Sequence, residues 1–106
     1  MNDRILIEKI LRYIDKISRY VSDVEKDEFL NDSKLAEACV LNLMQIGELA
    51  GKVDADFQKL YADVPWSKIR GLRNRLVHDY EGVNFELVWD IIEFDLPRLR
   101  KQLTLT

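Results

Sequence analysis

The sequence predicts an all-α protein, and three observations carry that expectation. Apolar residues recur every three or four positions over long stretches, which is the helical period. No segment alternates apolar and polar residues as a half-buried strand does. Only four glycines and two prolines punctuate the 106 residues. The first helix is expected over residues 3 to 22, where Leu6, Ile10, Tyr13, Ile14, Ile17, Tyr20 and Val21 make one apolar stripe. An acidic connector follows, and Asp32 or Ser33 can cap a second helix that runs to about Val53. This helix is apolar around most of its circumference, a demand that the bundle core and a partner subunit can both meet. Gly47 inside it costs up to about 1 kcal/mol against Ala, so a close helix crossing is expected there. Asn42, Gln45 and Glu48 share one face, either as a solvated seam, the commoner role for such residues, or as the polar wall of a site.

A short third helix is expected over residues 54 to 62, ending before Asp63-Val64-Pro65. Pro65 suits the first turn of a fourth helix, which carries Trp66, Ile69, Leu72, Leu76 and Val77 on one face. That helix is expected to stop at Glu81-Gly82, with Gly82 in the left-handed position after its end. Asn84 then caps a fifth helix with Phe85, Leu87, Val88, Ile91, Ile92, Phe94 and Leu99 as its apolar residues, kinked or interrupted at Pro97. Four main helices, one short helix and short connections make an up-and-down bundle, with residues 1 to 106 as a single domain.

Composition narrows the classes further. Hydrophobic residues at 47% and charged residues at 33% are ordinary for a globular chain and argue against long disordered tracts. Cys39 is the only cysteine and lies in an apolar run, so it reads as a buried, inert thiol. The N-terminus enters a charged amphipathic pattern, not a signal or transit peptide, and no apolar stretch approaches the roughly 20 residues that span a bilayer. A cytoplasmic location follows by default. One His and one Cys, without HxxxH or CxxC spacing, supply no evident metal site, and no Gly-rich phosphate loop occurs. Neither metal nor cofactor is expected.

The net charge of −3 is unevenly spread. Residues 21 to 32 hold Asp23, Glu25, Asp27, Glu28 and Asp32 against Lys26 alone, whereas residues 65 to 80 hold Lys68, Arg70, Arg73 and Arg75 against Asp79. The basic stretch surrounds the only histidine, in Arg73-Asn74-Arg75-Leu76-Val77-His78-Asp79-Tyr80. An imidazole titrates near neutrality and a guanidinium grips phosphate through two hydrogen bonds, so this octet has the parts for proton transfer beside a phosphate. A helix-end histidine satisfied by a local hydrogen bond would read the same way.

Helical phase constrains the octet. Residues turn by about 100° each, so Asn74 and His78 share a face while Arg73 lies roughly 140° from His78. Either the helix unwinds before His78, or Arg73 acts with the His78 of another copy. Asn74 would orient His78 or hold a phosphate, and Tyr80 sits near a helix end as an accessible hydroxyl or a core-edge aromatic. Cleaving RNA without a metal takes a base for the 2′-hydroxyl and an acid for the leaving oxygen. One chain has one histidine, and a twofold dimer would bring two His78 and two Arg73 to a composite site.

The octet matches the R-x4-H-x-Y signature of HepT-like ribonucleases, toxins of the HEPN superfamily, and the chain resembles that family. The resemblance extends to Gln45-Ile46-Gly47-Glu48-Leu49-Ala50, to Trp66-Ser67-Lys68-Ile69-Arg70-Gly71-Leu72, and to Val88-Trp89-Asp90-Ile91-Ile92 with Asp95-Leu96-Pro97. It implies a homodimeric, metal-independent endoribonuclease paired with a nucleotidyltransferase antitoxin of the MntA type. By it, Arg73 stabilises the charged phosphorane, His78 acts as general acid/base, Asn74 supports the site, and Tyr80 accepts AMP from the antitoxin. Arg70 and Arg75 complete the candidates as RNA-binding positions. The competing expectation is a non-catalytic dimeric module whose basic octet docks a nucleotidyltransferase, a nucleotide or an RNA end.

Overall fold

The computed structural model describes residues 2–78 and 81–104 and is an all-α bundle with one minimal hairpin. Helix α1 (Asp3–Tyr20) buries Leu6, Ile7, Ile10, Ile14 and Ile17, and the Asn2 side chain caps it by accepting from the Ile5 N–H at 3.2 Å. The chain turns through Asp23, at φ 61, into α2 (Lys26–Asn31). This short helix lies inside the stretch expected as a connector. A reciprocal capping box between Glu25 and Glu28 starts it, and fully buried Phe29 anchors it against Trp89.

Helix α3 (Ser33–Lys52) is the hub of the bundle, capped by Asp32 and packed against α1 and α2 before it in the chain and against the later helices that carry Trp66, Leu72 and Val88. Its many buried residues follow from that central place. Asn42 departs from the solvated-seam expectation: it is buried, and its side-chain amide donates to the Ala38 carbonyl at 2.7 Å, a bond within its own helix that satisfies it. Gln45 and Glu48 are not buried with it. The close crossing expected at Gly47 is present, since a Cβ there would stand 2.9 Å from the Ile69 carbonyl oxygen.

The short third helix is α4 (Ala55–Gln58), continued by a 3₁₀ turn (Lys59–Tyr61). The fourth helix differs from expectation in both continuity and length. Pro65 precedes it as its cap, α5 (Trp66–Arg70) breaks at Gly71, and α6 (Leu72–Leu76) ends well before Gly82. Val77–His78 (β1) instead pair antiparallel with Gly82–Val83 (β2). Gly82 does take a left-handed φ of 76, but in this hairpin and not at a helix end.

Asn84 caps α7 (Phe85–Asp90) by accepting from the Leu87 N–H. Pro97 does not interrupt the final helical stretch. A π segment (Ile91–Asp95) leads directly into α8 (Leu96–Leu103), with Pro97 in the first turn of α8, where its missing N–H is tolerated. Phe94, one of the apolar residues of the expected fifth helix, is 61% exposed. Arg100 of α8 clasps Asp15 of α1 through two hydrogen bonds, at 2.7 and 3.3 Å. Among the described residues no helix is long and apolar enough to cross a membrane.

Candidate functional site

Local sequence explains how the octet is presented. Leu72 and Leu76, four apart on α6, bury against the core, which turns Arg73 and Asn74 to solvent and leaves Arg75 half-buried. The helix stops at Leu76 because β-branched Val77 takes an extended conformation, φ −115 and ψ 126. Its N–H still closes onto the Arg73 carbonyl, and the Leu76 carbonyl accepts from the Asn84 N–H at 2.8 Å. The ends of the ribbon are thereby tied to α6. Side chains alternate along a strand, and Val77 and Val83 pack against the core, so His78 faces outward.

The helix therefore unwinds before His78, and helical phase no longer relates His78 to Arg73. Arg70, Arg73, Asn74, Arg75 and His78 lie within α5, α6 and the first strand. Among the described residues none of their side chains forms a hydrogen bond or ion pair, and no Asn74–His78 bond is made. The Arg70 stem runs over Gly51 of α3, whose absent side chain leaves room for it: a Cβ there would meet the Arg70 Cγ at 3.8 Å. Asp79 and Tyr80 lie outside the described residues.

Beside the octet, a cleft of about 100 Å³ separates α5 and α6 from the π segment and α8. Arg75 lines it, together with Lys68, Arg98 and Asp95 around an apolar floor that includes Leu72 and Leu99. Arg98 directly follows the Asp95-Leu96-Pro97 stretch, but its place across the cleft from Arg75 comes from the fold and has no signal in the sequence. The pairing of β1 with β2 had little sequence signal beyond Val77, Val83 and Gly82. Among the described residues no group of three or more His, Cys, Asp or Glu side chains is placed to hold a metal ion. The Cys39 thiol is fully buried, and burial pushes its pKa up to about 11, far from nucleophilic use.

Comparison with known proteins gives a consistent result. The family model described as "Ribonuclease HepT-like" matches residues 10–105. A protein of Methanocaldococcus jannaschii named "Putative RNase" is 35% identical, the match covering 94% of this chain and 83% of the relative. Another of that name, from Caldanaerobacter subterraneus subsp. tengcongensis, is 33% identical over 91% of this chain and 86% of its own. A Thermococcus cleftensis protein named "Probable ribonuclease HepT" is 30% identical, covering 89% and 86%. No solved structure gives a significant match.

Proposed function

The chain belongs to the ribonuclease HepT-like family, and from that membership we propose that it is a metal-independent endoribonuclease toxin acting through the octet. The observation that carries this reading is the presentation of His78. A core or structural histidine would be packed or satisfied, whereas this one faces solvent on a pinned ribbon beside Arg73, Asn74 and Arg75.

The chemistry needs no group beyond RNA and these side chains. The substrate's own 2′-hydroxyl is the nucleophile. An imidazole takes its proton as the 2′-oxygen bonds to phosphorus, an imidazolium gives a proton to the departing 5′-oxygen, and the P–O5′ bond breaks. The products are a 2′,3′-cyclic phosphate and a 5′-hydroxyl. Arg73 stabilises the extra negative charge on the phosphorane, Asn74 supports the phosphate, and Arg70 and Arg75 hold flanking phosphates. One His78 per chain supplies only one of the two proton-transfer roles at a time, so a twofold dimer completes the site with the second copy's His78.

Regulation follows from Tyr80 in the same octet. An MntA-type nucleotidyltransferase antitoxin would transfer AMP from ATP to its hydroxyl, the phenol losing its proton as the bond to the α-phosphorus forms and pyrophosphate leaves. The adenylate puts negative charge and bulk two residues from His78, which opposes entry of an RNA phosphate. The test is RNA cleavage in EDTA by wild type and Arg73→Ala, with intact mass after coexpression with such a partner. Cleavage by wild type, its loss in Arg73→Ala, and added AMP units absent from Tyr80→Phe are expected. Wild-type protein inert on RNA, or Arg73→Ala as active as wild type, overturns the reading.

A further inference from the structure

The basic residues around His78 are not the only concentration of positive charge in this acidic protein. Helix α1 carries Lys9, Arg12, Lys16 and Arg19 at intervals of three, four and three, which brings all four to one face, opposite the buried isoleucines. Together with Tyr13 and Asp15 they border an open recess of about 400 Å³.

The one carboxylate in that border is already engaged. Asp15 accepts two hydrogen bonds from Arg100 of α8, and this contact, more than any other, holds its carboxyl below the ordinary range. Among the described residues only two ion pairs form, and neither uses Lys9, Arg12, Lys16 or Arg19. Glu8, one turn before Arg12, is the other carboxylate near the row, and it forms no ion pair with these cations. Four cations against two carboxylates leave the row net positive, and the clasp to Arg100 is the main claim on Asp15, whose carboxyl also feels Arg19.

From this arrangement we infer that the α1 face is a second RNA-backbone site, separate from the octet. The row from Lys9 to Arg19 is about 15 Å long at the helical rise, enough to meet successive phosphates of a single strand. Tyr20 is 38% exposed at its end, with the Lys16 ammonium 5.9 Å from its ring centroid. An aromatic face beside a row of cations is the combination that holds unpaired strands without reading sequence. Helix α3 packs against α1 and also against α5 and α6, so the stripe lies on a helix separated from the octet by the hub. Its role is to retain long RNA while the octet cuts, so it rests on the ribonuclease reading for its purpose but not for its existence.

The test uses full-length His78→Ala protein, so that RNA stays intact, and a labelled single-stranded RNA of mixed sequence titrated at several salt concentrations. Adding Arg12→Gln and Lys16→Gln should reduce the slope of log affinity against log salt by about 0.7 for each cation lost, with affinity at 0.1 M salt falling on the order of tenfold. Gln is a good helix former and both positions lie outside the core, so the fold should persist, as circular dichroism will check. In otherwise wild-type protein the same pair should raise KM for long RNA and leave kcat on a dinucleotide unchanged. Unchanged slope and affinity overturn the inference, as does stripe-dependent binding to phosphatidylglycerol vesicles with none to RNA. Stripe-dependent RNA binding by a wild-type protein that cuts no RNA would uphold the site and sink only the ribonuclease reading.

Discussion

At position 78 the backbone has passed from helix to ribbon, and that change turns the imidazole away from the core packing that claims Leu76 and Val77. Residue types alone could place His78 among arginines, but its exposure depended on where α6 ended, a boundary that one β-branched residue and a distant hydrogen bond from Asn84 decide. Asn42 shows the reverse: its polarity suggested solvent, and a bond to its own helix lets it sit in the core. Cys39 behaved as its apolar neighbours indicated. With its thiol pushed up to about 11 and no exposure, it should resist thiol reagents at pH 8 in the native protein and react fully once denaturant is added. Rapid labelling of native protein would show that α3 opens in a way the packing does not allow.

Among the elements, α3 is the one on which the site depends most, because α5 and α6 both rest against it. Gly47 sets that approach. Replacing it with Ala gains up to about 1 kcal/mol of helix propensity but drives a methyl to 2.9 Å from the Ile69 carbonyl, and overpacking of this kind costs about 1–3 kcal/mol. Net destabilisation is expected, read as a lower urea midpoint at unchanged slope; a midpoint at or above wild type would mean that α5 yields easily. The crossing was legible because a glycine amid strong helix formers needs a reason. The hairpin and α2 were not: two-residue strands and a six-residue helix are too short for periodicity to register, and tertiary anchors such as Phe29 decide them. Pro97 announced a break, yet the π segment before it absorbs the disruption within a continuing helical rod.

For the molecule as a whole, the clasp between Asp15 and Arg100 ties the first helix to the last. Because Arg100 holds Asp15 below its ordinary 3.8, the clasp contributes its full stability above that value and loses it as pH falls through the folded-state value. Wild type should therefore be more stable than Asp15→Asn at pH 7, with the gap closing below about pH 4; a gap that is constant with pH would remove the ion pair as its cause. Both side chains are partly solvated, so the effect should be small and should weaken in high salt. The proposed dimer belongs to this scale too, as the way the ribonuclease reading supplies a second proton carrier. The most direct measurement is the single-turnover rate of RNA cleavage in EDTA by His78→Ala against wild type, with unfolding midpoints taken on the same samples. A rate at least about 100-fold lower at an unchanged midpoint is expected, whereas cleavage persisting at the wild-type rate would contradict the assignment of this octet as the active site.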